Sequence, residues 1–206
     1  MTGGGTGAGG AGPPHEWIDG CLAAQASLEG SLVGLDDATA RSASLLPGWS
    51  VGHVLTHIAR NADSVVWRLE GAARGERRDQ YPGGLEQRRD DIEAGAVRPA
   101  DELVADVRAS SAAVVRVTAE LPDEAWDAPS RTARGAVEPS RDAIFSRWRE
   151  VVVHHGDLGF GPVPLPPVLV AEWLARELPR LGERTDATAL LAWVIGRGDA
   201  PPLAPW

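Results

Sequence analysis

A glutamate and a histidine four positions apart, Glu150 and His154, lie within a run of valines in the stretch SRWREVVVHHGDLGFG. Residues four apart share one face of an α-helix, so the two side chains point the same way. Neutral imidazole and carboxylate are ligands that Zn²⁺ and similar divalent ions accept. The spacing therefore offers two metal ligands from one helix.

A second segment supplies candidates for a third ligand. His53 and His57 are also four apart, and Val54, Leu55 and Ile58 make their surroundings apolar. One imidazole from this segment would complete a set of three ligands with coordination positions left open. The competing interpretation is structural, because Glu and His at this spacing are common on exposed helix faces, where a pair contributes only ~0.2–0.5 kcal/mol.

Two charged residues continue the polar stripe of the later segment. Arg147 lies one turn before Glu150, and Asp157 lies one turn after His154. A ligating His normally donates its second ring N–H to an acceptor, so Arg147 and Asp157 are candidates for orienting the ligands. The valines at 151–153 lie largely on the other faces, which predicts a buried helix with a polar pocket.

Composition excludes several classes of protein. The single cysteine, Cys21, rules out an internal disulfide and a Cys-rich metal cluster, and is itself expected to be a buried small apolar group. A net charge of −9 without a basic tract argues against nucleic acid and anionic lipid as partners. No window approaches the roughly 20 apolar residues of a membrane helix, and a cytoplasmic protein is expected.

Apolar periodicity and turn residues predict four long helices. Ser50 is the expected N-cap of the second, and Pro99 opens the third. The polar connection between these two is expected to hold one short helical turn near 85–94, and the segment before the fourth helix is expected to be irregular. The four helices are expected at about 15–35, 50–70, 99–120 and 139–158.

Four long helices without alternating strand segments predict an all-α fold, an antiparallel four-helix bundle over residues 15–160. Residues 1–14 are expected to be a disordered Gly-rich tail. A proline cluster opens residues 161–206, which are expected to form a short C-terminal extension of two helices.

Two motifs together are similar to a known family. LLPGWSVGHVLTHIARNAD, followed about ninety residues later by REVVVHHGDLGFG, resembles the mycothiol-dependent maleylpyruvate isomerases, a branch of the DinB-like metal-binding bundles. The resemblance covers about residues 15–160, and the closing GRGDAPPLAPW resembles the end of the family's C-terminal domain. Family members usually carry a larger α/β domain there, whereas roughly forty residues follow the bundle here.

The resemblance implies a site and a chemistry. By position it assigns the metal ligands to His57, Glu150 and His154, with Zn²⁺ as the expected divalent ion. It implies mycothiol, a small actinobacterial thiol, as cosubstrate, whose thiolate adds to the cis double bond of maleylpyruvate and leaves fumarylpyruvate. Arg197 in GRG resembles an arginine near the family's active site, and we name Arg197 and Asp157 as candidate catalytic residues.

Two alternatives stay open beside the isomerase. A mycothiol S-transferase would leave the thiol attached to its electrophile, and a non-catalytic helical binding module would use its His and Glu structurally. The expected partners are mycothiol and a small-molecule electrophile, in a monomer or homodimer, with no nucleic acid and no membrane.

Overall fold

The computed structural model describes residues 12–203, which form two compact units that divide between Pro164 and Leu165. Residues 1–11 of the predicted Gly-rich tail lie outside the described residues, as do residues 204–206. The helices of the first unit are α1 (His15–Ser31), α2 (Asp37–Arg41), α3 (Val51–Ala73), α4 (Gly84–Ala96), α5 (Ala100–Glu120) and α6 (Arg141–Asp157). A 3₁₀ helix (Asp123–Asp127) and the strands β1 (Pro129–Arg131) and β2 (Val137–Pro139) precede α6.

Local sequence explains where the central helices begin. Ser50 caps α3, because its Oγ accepts the N–H of His53 at 3.3 Å while Nδ1 of His53 accepts the N–H of Ser50 at 3.2 Å. This reciprocal pair satisfies two N–H groups that the helix leaves without partners. Pro99 precedes α5, and Asp101 and Glu102 lie in its first turn, where the helix dipole favours negative charge.

Helix α3 is the centre of the bundle, since it packs against α4, α5 and α6, while α1 packs against α5 and α6. The predicted all-α four-helix bundle is therefore confirmed, with α1, α3, α5 and α6 as its long helices. The first helix ends at Ser31, four residues before the expected limit, and Gly34 then adopts a φ of +82°, which reverses the chain. The main core cluster includes Leu28, Leu32, Val54, Leu55, Ile58, Leu103, Val107, Val151 and Leu158.

Helix α4 is longer than the single turn that the sequence predicts. It runs for 13 residues and buries Ile92, Gly95 and Ala96. Gly52 on α3 permits this packing, because a Cβ at that position would lie 2.3 Å from the carbonyl oxygen of Ala96. Packing against α3 therefore stabilises α4, and the polar, glycine-rich sequence around α4 does not by itself predict this contact.

The segment before α6 contains a short hairpin where irregular structure is predicted. β1 and β2 pair antiparallel, with Arg131 opposite Val137. The buried Arg68 of α3 donates to Oγ of Ser130 and to Oε1 of Glu138, both at 2.7 Å. The hairpin is thus defined by a tertiary contact, which a local sequence pattern does not contain.

The second unit, residues 165–203, is helical. It contains α7 (Pro167–Glu177), a 3₁₀ helix (Leu178–Glu183) and α8 (Ala187–Val194). Asp186 caps α8 by accepting the N–H of Ala189 at 2.7 Å. Among the described residues, no helix is both long enough and apolar enough to cross a bilayer.

Candidate metal centre

Helices α3 and α6 bring together three of the residues that the sequence selects. His57 lies in the second turn of α3, and Glu150 and His154 lie one turn apart on α6. Val151 and Val152 are buried on the other faces of α6, and its polar stripe faces α3, where Glu150 and His154 are partly buried. Two residues 93 positions apart, His57 and Glu150, meet there.

Both imidazoles converge on one carboxylate oxygen. Nε2 of His57 lies 3.0 Å from Oε2 of Glu150, and Nε2 of His154 lies 3.3 Å from the same atom. The two rings meet edge to face with their centroids 4.5 Å apart. The possible ligand atoms of the three residues all lie within 4.8 Å of one another, which we call the His–Glu–His cluster.

Asp157 fixes the orientation of one ring. Its Oδ2 lies 2.7 Å from Nδ1 of His154, and because a carboxylate only accepts, Nδ1 carries the proton. In the neutral ring, Nε2 is then a lone pair that faces the lone pairs of Oε2 of Glu150. That approach becomes attractive only when a proton or another cation lies between the two atoms.

Arg88 of α4 imposes the opposite tautomer on the other ring. Its Nη2 lies 2.8 Å from Nδ1 of His57, and because a guanidinium only donates, Nδ1 must accept. Nε2 of His57 therefore carries the proton and donates it to Glu150. A cation bound at Nε2 would require this proton to move to Nδ1, and Arg88 would then have to release the ring.

Burial and hydrogen bonding set the charges of the cluster. Burial lowers the pKa of His57 to about 4, so this ring is neutral near pH 7. For Glu150 burial acts to raise the pKa, but the hydrogen bonds with His154 and His57 outweigh it and hold the pKa below its ordinary value. For His154 burial acts to lower the pKa, and the bonds with Glu150 and Asp157 outweigh it and raise the pKa.

A buried arginine ties the two ligand-bearing helices together. Arg147 is fully buried, and its Nη1 donates to the carbonyl of Ile58 at 2.7 Å and to Oδ1 of Asn61 at 3.0 Å, while Nε donates to Oε1 of Gln25 at 3.2 Å. Among residues 12–203 its Nη2 has no hydrogen-bond partner. Arg147 contacts the helix that carries His57 and not either imidazole, so it holds the relative position of α3 and α6.

Several other sequence candidates lie outside the cluster. His53 caps α3 and its Nε2 lies 3.4 Å from Oε2 of Glu93. Cys21 is buried, and burial raises the pKa of its thiol to about 12, as expected of a core residue without chemistry. Arg197 belongs to the second unit, where it is exposed and its N–H donates to the carbonyl of Ala192 at 2.7 Å.

Sequence reasoning missed two neighbours of His57. The sequence did not single out Arg88, because α4 is predicted as a single helical turn in a polar connection that contains several other arginines. The indole of Trp49 contacts the His57 ring edge-on at a centroid distance of 5.7 Å. The only available signal was its position in LLPGW, directly before the cap of α3.

The donor set of the cluster fits a divalent ion. It offers two imidazole nitrogens and one carboxylate, which is a common set for Zn²⁺ and related metals. Once Nε2 of His154 is deprotonated it presents a lone pair, while Nδ1 donates to Asp157 in the manner of ligating histidines whose second nitrogen donates to a carboxylate. The lone-pair opposition between His154 and Glu150 marks where a cation would be stabilised.

Fold and site together define a DinB-like helical bundle with a His–Glu–His cluster at its centre. The chain belongs to the mycothiol maleylpyruvate isomerase family, because the model of that family's N-terminal domain matches residues 21–159. No protein with a curated description matches the sequence.

Two solved structures are similar. One is a mycothiol-dependent maleylpyruvate isomerase, with a TM-score of 0.76 and 23% identity over 94% of this chain and 97% of that one. The other is a histidine-to-alanine mutant of a mycothiol-dependent maleylpyruvate isomerase, with a TM-score of 0.73 and 27% identity over 80% of this chain and 69% of that one.

Proposed function

We propose that this protein is a divalent-metal enzyme that uses mycothiol as its thiol cosubstrate and isomerises a small unsaturated dicarboxylate of the maleylpyruvate type. The observation that carries the proposal is the His–Glu–His cluster, in which two imidazoles share one oxygen of Glu150 inside the bundle. Membership of the mycothiol maleylpyruvate isomerase family supports the choice of thiol and reaction class.

Within this proposal His57, Glu150 and His154 would hold the metal, with Zn²⁺ as the expected ion. A divalent ion bound there would supply a lowered thiol pKa, so that mycothiol carries a thiolate near neutral pH. Glu150 contributes negative charge, and Asp157 keeps the Nε2 lone pair of His154 directed at the cluster. The buried walls around His57 limit the access of bulk water.

The reaction class follows from thiol chemistry. The thiolate sulfur adds to one carbon of the cis double bond, and the electron pair of that bond moves onto the conjugated carbonyl. The bond that was double is now single and rotates, after which the same sulfur leaves and the double bond re-forms in the trans geometry. Mycothiol is regenerated, so no oxidant or reductant is needed.

Anionic substrates require a local cation in a protein of net charge −9. Arg88 is a guanidinium in direct contact with the cluster, 2.8 Å from His57. Once it releases His57, its donors become available to a carboxylate, which a guanidinium binds in a bidentate manner. Arg197 of the second unit remains a second candidate for this role, and Arg197→Ala is expected to raise KM for the dicarboxylate.

The first experiment measures metal by elemental analysis in wild type, His57→Ala and His154→Ala, with His15→Ala as the control because His15 is exposed at the start of α1. About one metal per chain in wild type and in the control, with loss in the two cluster variants, is expected. Near-zero metal in all four proteins after reconstitution, with helical circular dichroism retained, would contradict the metal site and favour the alternative of a non-catalytic binding module.

The second experiment follows mycothiol during turnover of maleylpyruvate. An isomerase keeps the free thiol concentration constant while trans product accumulates. Consumption of thiol in proportion to product would assign the S-transferase alternative, and absence of thiol-dependent turnover by metal-loaded protein would contradict the proposed reaction.

A further inference from the structure

Helix α4 packs tightly against α3 at its C-terminal end. Gly95 and Ala96 are buried there, and a Cβ on Gly95 would overlap the side chain of Thr56 on α3. The contact between Gly52 and Ala96 lies in the same region. This end of α4 is therefore anchored to α3 by close contacts that do not involve the His–Glu–His cluster.

The first two turns of α4, residues 84–91, are separated from α3 by a cleft of about 330 Å³. Gln87 and Asp91 line it on the α4 side, and Arg60 and Ser64 line it on the α3 side. Most residues of these two turns are exposed, and only two of the eight are half-buried. Open space, and not packed side chains, thus lies between this part of α4 and the bundle.

One side chain crosses from these two turns to α3. Among residues 12–203, the only hydrogen bond that joins residues 84–91 to α3 is the one from Nη2 of Arg88 to Nδ1 of His57, at 2.8 Å. Arg88 also contacts Tyr81, whose hydroxyl lies 3.2 Å from its Nε. Tyr81 precedes α4 in the same connection, so this second contact does not tie α4 to α3. We call the bond between Arg88 and His57 the latch.

An ion in the cluster and the latch exclude each other. Nε2 is the nitrogen of His57 that faces Glu150, so an ion held by both residues takes the Nε2 lone pair. The one N–H proton of a neutral imidazole must then be on Nδ1, which can no longer accept from Arg88. The charge of the ion also repels the guanidinium. Both effects break the latch.

The released guanidinium has a partner on its own helix. Asp91 lies three positions after Arg88 and lines the same cleft, a spacing at which opposite charges pair on a helix. Its Oδ1 accepts from the amide of Gln87 at 2.7 Å, which leaves Oδ2 for Arg88. The carboxylate that α3 contributes to the cleft, Asp63, already pairs with Arg60 at 2.8 Å. Release therefore favours pairing within α4 over a new bond to α3.

We infer that the first two turns of α4 form a metal-controlled flap, which Arg88 holds to His57 in the metal-free protein and which opens when a divalent ion binds the His–Glu–His cluster. The inference rests on the metal site of the proposed function and adds a movement to it. Because the other end of α4 stays anchored at Gly52, the movement is confined to residues 84–91. Linkage then requires the closed latch to lower the affinity for the ion.

Hydrogen exchange followed by mass spectrometry tests the flap in wild type. The amides of residues 88–91 have acceptors inside the helix, and they should exchange at least about tenfold faster with Zn²⁺ bound than with a chelator present. The amides of Gly95 and Ala96 should stay protected in both states. Equal exchange at residues 88–91 with and without bound Zn²⁺ would overturn the flap.

Two neighbouring arginines of α4 supply a variant and its control. In Arg88→Met the amides of residues 88–91 should exchange rapidly without metal, and Zn²⁺ should not change them. Arg89→Met, which removes an exposed cation that pairs with Asp90 at 3.2 Å, should behave as wild type in both states. Slow exchange at residues 88–91 in metal-free Arg88→Met would show that Arg88 does not hold the flap.

Chelator competition measures the coupling from the side of the metal. Arg88→Met should bind Zn²⁺ about tenfold more tightly than wild type, because no hydrogen bond from a charged donor has to be broken. Arg89→Met should bind as wild type does. Weaker binding by Arg88→Met would make Arg88 a support of the site and would overturn the inference alone. Absence of Zn²⁺ binding by wild type would overturn the proposed metal site itself, and the metal control of the flap with it.

Discussion

Nδ1 of His154 donates to Oδ2 of Asp157 at 2.7 Å, and this bond directs the opposite ring nitrogen, Nε2, at Glu150. Both residues belong to α6, three positions apart, so the orientation is built into one helix. The pairing gives Asp157 a role as a positioning residue for the cluster, distinct from contact with a substrate.

Removal of the Asp157 carboxylate is expected to weaken metal binding. In Asp157→Ala the His154 ring loses its fixed tautomer, and Zn²⁺ affinity should fall about 10- to 100-fold. Competition with a chromogenic chelator measures the change. Asp90→Ala, which removes an exposed carboxylate from α4, should leave the affinity as in wild type. Equal affinity in Asp157→Ala and wild type would contradict the positioning role.

The metal-free protein should lose stability as the pH falls from about 6.5 to 4. His57 has an ordinary pKa of 6.5 when unfolded and about 4 when folded, so the unfolded chain binds more protons in this window. The contribution of His57 is fully present above pH 6.5 and is lost towards pH 4, a change of about 3 kcal/mol. The raised pKa of His154 acts in the other direction, since its contribution is lost as the pH rises through the folded value.

Urea unfolding in the presence of a chelator tests this pH dependence. Between pH 7 and pH 4, wild type should lose more unfolding free energy than His57→Gln, which has no ionisable group at that position. Parallel pH profiles for the two proteins would show that burial of His57 does not govern acid stability.

Arg147→Met should destabilise the bundle by about 3 kcal/mol, because it leaves the buried acceptors of Asn61 and Gln25 without their donor. Arg116→Met, a change at an exposed position of α5, should stay within about 0.5 kcal/mol of wild type. Chemical unfolding of metal-free protein measures both. If Arg147→Met proved as stable as Arg116→Met, the buried guanidinium would not hold α3 against α6.

Gly52→Ala should destabilise by about 2 kcal/mol, since the added Cβ would meet the backbone carbonyl of Ala96 and push α4 from α3. Gly30→Ala is the matched control, because a Cβ there meets no atom within 4 Å and alanine is the better helix former. Thermal unfolding should show a lower Tm for Gly52→Ala and an equal or higher Tm for Gly30→Ala. A neutral Gly52→Ala would mean that α4 tolerates displacement.

The long helices and the pairing of Glu150 with His154 were predictable, because both depend on spacing along one helix. The choice of His57 over His53 was not, since both share a face of α3 and only the tertiary structure shows that one caps the helix while the other meets Glu150. Arg88 was out of reach for a similar reason. Its helix is polar and glycine-flanked, and it forms against α3 where Gly52 lets the backbones approach.

The hairpin of β1 and β2 is a second feature that local sequence does not predict. β1 and β2 are three residues each, and both contain a proline, which disfavours a strand prediction. The buried Arg68 nevertheless donates to Ser130 on β1 and to Glu138 on β2. Long-range hydrogen bonding of one buried side chain therefore overrides local preference.

Because His57 and Glu150 lie 93 positions apart, an ion that binds both would couple its occupancy to folding. In the unfolded chain, bringing the two residues together costs the conformational entropy of closing a long loop, whereas in the folded bundle they are already adjacent. An ion that binds the cluster would therefore bind the native state selectively. At a free-ion concentration 100 times its Kd, mass action would add about 2.7 kcal/mol to the unfolding free energy. The Tm of this protein would then rise with the concentration of the free ion, and the folded protein would be less stable in a cell that is poor in that metal.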